Sequence, residues 1–160
     1  MPGEQVEFKV EELTNDLLDE MMPLLEKHYK EIAVYQDIPL VINRKIYLEL
    51  EVKDLLRVYT AREKGSRKLL GYSVFIINHN IHYSTSLEAK NDVIFIDPEH
   101  RGFGAKFIKY CDEQLQAEQV QTVYHHIKPD HDWSKLICKM GYRKFETIYA
   151  KRLDKESSWE

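Results

Sequence analysis

Apolar and polar positions change their period several times along this chain, and each change marks a predicted element. Residues 6–13 alternate and predict a strand. Thr14 or Asn15 can then cap a helix whose apolar face carries Leu17, Leu18, Met21, Met22 and Leu25, with Pro23 expected to kink or divide it. Ile42, Ile46 and Leu50 give a second helix one apolar stripe. Residues 55–62 and 68–77 are β-rich runs around Glu63-Lys64-Gly65-Ser66-Arg67, the pattern of a hairpin, while 78–90 is less regular. Val93 to Ile96 is continuously apolar, as in a central strand covered on both faces, and Asp97-Pro98 ends it. Phe107, Ile108, Cys111 and Leu115 step at helical spacing. Beyond them the pattern predicts a strand over 120–127, a short helix over 132–140 and a last strand over 142–153. The order predicts an α+β fold, a mixed sheet with helices on both faces.

Composition adds limits to this picture. The chain has 160 residues, 43% hydrophobic and 31% charged, enough for one domain over 1–153 with a polar tail over 154–160. A domain of this size buries roughly 70% of its unfolded surface, so no disulfide or metal staple is required. The two cysteines, Cys111 and Cys138, sit in helix-like apolar patterns and read as reduced core or near-core thiols. No apolar run approaches the length of a membrane span, and residues 1–10 lack the features of a secretory leader, so the expected compartment is the cytoplasm. A formal net charge of -4 argues against general nucleic-acid binding, without excluding one local basic pocket. The histidines offer no convincing ligand pair with a third partner, and no metal is expected.

The chemistry-bearing segment is the one from Asp92 to Leu115. A strand ending in a glycine turn that opens a helix suits phosphate, because the first helical amides lack internal partners and the helix dipole is positive there. Gly102-Phe103-Gly104 meets that description, with Arg101, Lys106 and Lys109 adding charge. This strand, the Asp97-Pro98-Glu99-His100-Arg101-Gly102 turn and the following helix resemble the GNAT N-acetyltransferase family. Leu136-Ile137-Cys138-Lys139-Met140-Gly141-Tyr142 is similar to that family's L-Y-x-K-x-G-F, and Gly71-Tyr72-Ser73-Val74-Phe75 to its third strand. The resemblance implies acetyl-coenzyme A (acetyl-CoA) as cofactor and a mostly antiparallel central sheet that splays where the acyl-CoA binds. Ile94, Phe95 and Ile96 would pair with the pantetheine arm, and Arg101, Gly102, Phe103, Gly104, Ala105 and Lys106 would surround the pyrophosphate. The family pattern R/Q-x-x-G-x-G/A started at Arg101 puts Lys106 where Gly or Ala belongs. Taking Gly102 and Gly104 as the two glycines, in a shortened loop, keeps both and leaves Lys106 on the helix.

Acetyl transfer to an amine needs a base for the nucleophile, since an alkylammonium of pKa about 10.4 is almost wholly protonated at neutral pH. By resemblance Asp92 occupies the position of the family's water-mediated base; the other reading is a solvated carboxylate. Ile137 stands where the family often has a tyrosine acid, which leaves Tyr124, Tyr142 and Tyr149 as candidates. Alternation along Tyr124-His125-His126 puts Tyr124 and His126 on one face, favouring His126 as a second base. His28, Tyr29, Tyr35, Asp37, His82 and Tyr83 lie in polar, aromatic stretches that either line an acceptor site or form ordinary wet surface. The resulting expectation is an N-acetyltransferase acting on a small-molecule or protein amine. The alternative is a catalytically silent acyl-CoA-binding or interaction module. Dimerisation is common among such proteins, and small ones of this build resemble those encoded by tailed phages.

Overall fold

A computed structural model describes residues 5–155; the first four residues, and 156–160 of the expected polar tail, lie outside the described residues. The elements run β1 (Val6–Glu11), α1 (Asn15–Ile32), α2 (Arg44–Val52), β2 (Leu56–Glu63), β3 (Leu69–His79), β4 (Leu87–Ile96), α3 (Gly104–Ala117), β5 (Thr122–Tyr124) and α4 (Ser134–Cys138). The strands form one sheet in the order β1-β2-β3-β4-β5. Neighbours are antiparallel except β4 and β5, which run parallel. Among the described residues, no helix is long and apolar enough to cross a membrane.

The strand alternation sorts side chains into two cores. Val58, Tyr72, Val74 and Phe95 meet Leu17, Leu18, Met21, Leu24 and Leu25 of α1 on one face. Tyr59, Phe75, Ile77 and Ala89 meet Phe103, Phe107, Cys111 and Leu115 on the other. The result is the expected sheet with helices on both faces. Thr14 is the cap of α1, its hydroxyl accepting from the Leu17 amide at 3.1 Å. Pro23 lies inside that helix without dividing it. The buried leucines on both sides of the proline pack on the same sheet, and that packing outweighs one lost backbone bond.

The structure differs from the sequence pattern at three places. The irregular stretch 78–90 is the end of β3, a turn, and the start of β4, so the central strand begins at Leu87 rather than near Asp92. β5 is three residues long, and 142–153 contains no strand, with Phe145, Ile148, Tyr149 and Leu153 exposed. Cys138 is exposed, whereas Cys111 is buried as expected.

Gly71 sets the spacing between β3 and β4. A Cβ built on it would meet the Phe95 carbonyl oxygen at 2.7 Å, and that oxygen belongs to paired backbone that cannot step aside alone. Gly71→Ala is expected to destabilise the fold by roughly 1–3 kcal/mol through this overpacking. Thermal unfolding of the variant checks it; an unchanged midpoint would show that the two strands have slack.

Candidate active site

The site grows from the way β4 parts from β5. Parallel pairing couples Glu88, Ala89 and Lys90 to Thr122, Val123 and Tyr124 and then stops. From Asn91 to Ile96, β4 keeps β3 on one edge, and among the described residues has no strand on the other. Ile94, Phe95 and Ile96 therefore lie along an open strand edge, where backbone N–H and C=O groups can bond an extended ligand. The far wall of the fork is the chain after Tyr124, tied back to α1 by the Lys128 ammonium on the Ile32 carbonyl, 2.9 Å, and by the His131–Glu31 contact, 3.0 Å.

At its open end the fork meets the start of α3. Phe103 is the cap residue, buried under the sheet, and no side chain bonds the first helical amides. Gly102 has φ 132°, a conformation that L side chains rarely adopt, and nothing lies within 4 Å of where its Cβ would be. Gly104 has room for a Cβ, with Ile96 Cδ1 at 3.6 Å and Leu136 Cδ2 at 3.8 Å. The turn thus demands glycine at 102, and the open ground above 104 leaves the helix terminus approachable. Ala105 and Lys106 are exposed in the first turn. Arg101 lies beside it, its Nε donating to the Ile96 carbonyl at 3.2 Å and its Nη2 to Glu31 at 2.9 and 3.0 Å. A diphosphate ester carrying an extended amide arm fits this arrangement of uncapped amides, guanidinium and open strand edge.

The loop is anchored beneath by Asp97, buried, whose carboxylate accepts from the Lys27 ammonium at 3.2 Å and from the Glu99 amide at 3.3 Å. Burial alone would raise its pKa; these partners outweigh it and hold the carboxyl below its ordinary value. His28 stacks on Phe95 with ring centroids 4.7 Å apart. Burial, aided by His131, Lys128 and Arg101 against the opposing pull of Glu31, pushes its pKa down to about 4, so the imidazole is neutral at pH 7.

Asp92 is the extra residue of a bulge in β4: Val93 faces Val74 and Asn91 faces Phe75, leaving Asp92 without a partner. The bulge turns Asn91 inward, where its amide bonds the Ser73 hydroxyl at 3.0 Å, and Asp92 toward α2, where Tyr47 donates its hydroxyl to the carboxylate. Burial, and then Asp92 itself, raise the Tyr47 pKa, so the phenol keeps its proton. Glu88, on the same face two pleats earlier, is 4% exposed and accepts from Asn80 Nδ2 at 2.7 Å and from the Tyr124 hydroxyl at 3.2 Å. Tyr124 thus stands at the point of the fork.

On the opposite face His125 is boxed by Phe75, Trp133 and Tyr142, with centroids 5.6, 5.4 and 5.4 Å away. Burial brings its pKa down to about 4, while His126 is exposed. Tyr142 donates to Asp112 of α3 at 2.6 Å. The acceptor candidates divide. His28, Tyr29, Tyr35 and Asp37 gather near the end of α1, where Arg152 covers the Tyr35 ring at 4.7 Å and pairs with Asp37 at 3.2 Å. His82 and Tyr83 sit in the β3–β4 turn at the opposite end of β4. Glu88, Tyr47, Asp112 and Glu31 carried no local motif, and Glu88 stood among the polar Lys90, Asn91 and Asp92 of its own strand, so nothing in the sequence marked it out.

No protein-family model and no curated protein matches this chain. Solved structures do. An aminoglycoside acetyltransferase from an uncultured soil metagenomic sample, in complex with sisomicin, matches at TM-score 0.73 and 11% identity over 96% of this chain and 99% of that one. Glucosamine-6-phosphate N-acetyltransferase from Arabidopsis thaliana matches at 0.68 and 15% over 92% and 99%. A predicted acetyltransferase with acetyl-CoA from Clostridium acetobutylicum matches at 0.68 and 9% over 92% and 96%. The five-stranded, mostly antiparallel sheet forked between β4 and β5, with helices on both faces, is the GNAT acetyltransferase fold.

Proposed function

We propose that the protein is an acetyl-CoA-dependent N-acetyltransferase that moves an acetyl group to an amine of a small molecule or protein. The observation that carries this reading is the open edge of β4 at the fork, continuous with the uncapped start of α3. Ile94, Phe95 and Ile96 would hold the pantetheine arm, and the amides of residues 102–106 with Arg101 the pyrophosphate. The bound donor supplies an activated acetyl thioester. Arg101, which bonds Glu31, would turn to phosphate when the donor binds, and Phe95, with His28 stacked on its ring, would fix the strand edge. Asp92 lies exposed on the α2 side and can take a proton from an incoming ammonium through water, while Tyr47 holds one of its oxygens in place. His126, exposed beyond β5, is a second acceptor of protons from that side. Tyr142, which donates to Asp112, and Tyr124, which donates to Glu88, are the hydroxyls that would serve a leaving thiolate. His28, Tyr29, Tyr35 and Asp37 form one rim of the acceptor approach.

Neighbouring structures include enzymes named for an aminoglycoside and an amino sugar phosphate, and the acidic Glu88 and Asp92 on one face suit a cationic amine. Calorimetry with acetyl-CoA, followed by free-thiol release with aminoglycosides, amino sugars, polyamines and lysine peptides, tests the reading. Binding at micromolar donor with amine-dependent thiol release is expected, and no binding at high micromolar donor would sink it. Asp92→Asn is expected to slow turnover about tenfold, below the usual range for a general base because water remains beside the exposed group, with donor affinity unchanged. Steady-state rates and calorimetry on the variant check this.

A further inference from the structure

Three charged side chains of the described sheet region are nearly removed from solvent, and two of them carry an opposite charge. Arg62 is paired with Glu11 and Glu20, and Asp97 with Lys27. Glu88 is the exception. At 4% exposure it has two neutral donors, Asn80 and Tyr124, and among the described residues no Lys, Arg or His forms an ion pair with it. A buried carboxylate without a counter-ion is costly and is retained where its charge is used. Its place is telling: it lies on β4 at the last paired stretch before the fork, bonded to the one tyrosine that stands at the fork's point.

We propose that Glu88 is the terminal proton acceptor of the transfer reaction, acting through the Tyr124 hydroxyl, an assignment that rests on the acetyltransferase reading above. The acceptor amine arrives as an ammonium. One of its protons passes to the Tyr124 oxygen as the Tyr124 proton passes to Glu88, leaving a neutral amine. Its lone pair forms the C–N bond at the thioester carbonyl, the C–S bond breaks, and the second nitrogen proton leaves with the thiolate as free thiol. Glu88 then returns its proton to solvent by the same hydroxyl. Glu88 is a positioning residue in that it meets the substrate only through Tyr124. Asp92, exposed and held by Tyr47, remains the water-side route for the same proton, and the Glu88–Tyr124 pair is the route inside the fork.

The groups facing Glu88 are few. Asn78 lies opposite on β3, Asn80 bonds it from the turn, and neither titrates. Lys90 on its own strand is exposed, Thr122 and Tyr124 face it from β5, and Glu146 acts on the Tyr124 hydroxyl from the C-terminal segment. On the α2 side stands the Tyr47–Asp92 pair. Burial first, then Glu88, raise the Tyr124 pKa, so the hydroxyl enters the reaction protonated, as a relay requires.

Glu88→Gln keeps the shape and removes the charge. Measured with acetyl-CoA and the best amine of the panel, it is expected to lower kcat about 30-fold near pH 7 and leave donor binding within about twofold. Its rate should climb with pH toward the pKa of the free amine, where the wild type has levelled off. Because an uncompensated charge is removed, its melting temperature should equal or exceed that of the wild type. Tyr124→Phe should show the same pH profile, and the double variant should be no slower than either single one. A Glu88→Gln variant whose profile runs parallel to the wild type, or one that melts lower, overturns the assignment while the acetyltransferase reading stands. A wild type that binds no acetyl-CoA overturns both.

Discussion

Gly104→Glu is expected to abolish acetyl-CoA binding, with an affinity loss of about 1000-fold or more. The substitution is sterically mild, since a Cβ at this position meets only Ile96 and Leu136 at ordinary contact distance. Its effect is electrostatic. Gly104 opens α3, whose first amides have no side-chain cap, and a glutamate there brings a carboxylate to those amides in place of phosphate. Two charge-assisted hydrogen bonds lost at roughly 2 kcal/mol each amount to about 4 kcal/mol, or nearly three decades in the dissociation constant. The same carboxylate can cap the helix, so the fold should be unharmed. Calorimetry and a melting curve together check this. Normal donor affinity in the variant would show that the pyrophosphate lies elsewhere. Loss of the fold would show that the helix start carries strain that the spacing around it does not reveal.

Arg62→Ala is expected to cost about 3 kcal/mol of stability, a fall in melting temperature on the order of 6–12 °C for a chain of this size. Arg62 is 6% exposed and joins three elements. Its guanidinium donates to Glu11 of β1 at 2.8 and 3.0 Å, to Glu20 of α1 at 2.7 and 3.0 Å, and to the Arg67 carbonyl at 2.9 Å. Thr60 also donates to Glu11. Removing the cation strands Glu11 in a half-buried place with one hydroxyl for company. The pH dependence follows from the same contacts. Burial alone would raise the Glu11 pKa, but Arg62 and Thr60 outweigh it and hold the carboxyl below the ordinary value of 4.5. Its contribution is therefore complete above that value and is lost as pH falls through the lower, folded-state value. In the alanine variant the acid limb of the stability curve should be shallower, because less is left to lose. Denaturant unfolding followed from neutral pH down through the acid limb measures both effects. A midpoint within about one degree of wild type, on the scale set by a fraction of a kcal/mol, would mean that the network is a surface ornament.

Much of the molecule could be read before it was folded, for identifiable reasons. The helix after Gly104 followed from Phe107, Ile108, Cys111 and Leu115, all of which are buried on one side of it. The β2–β3 hairpin followed from two β-rich runs around Gly65, and the start of α1 from the Thr14-Asn15 pair, of which Thr14 is the cap. These are short-range properties, in which the side chain and the backbone it organises lie within a few residues of each other. The last strand was misread for the converse reason. Alternation in 142–153 reports that the segment could pair, but pairing needs a partner edge, and in the structure its ends are held by Tyr142 on Asp112 and Arg152 on Asp37.

The end of the strand at Asp97-Pro98 and the start of the helix after Gly102 were determined by the sequence alone, because the demands of that turn and of a helix start are local. Tertiary structure decided what surrounds them. The bulge that places Asp92 without a partner exists only because β3 offers one residue against two. The choice of His125 for the aromatic box, leaving His126 in water, depends on Trp133 and Tyr142 arriving from later in the chain. Glu88 could not be singled out, since an acidic residue in a strand is ordinary until its burial and its missing counter-charge are known. Burial and pairing are sums over distant residues, and no local pattern contains them.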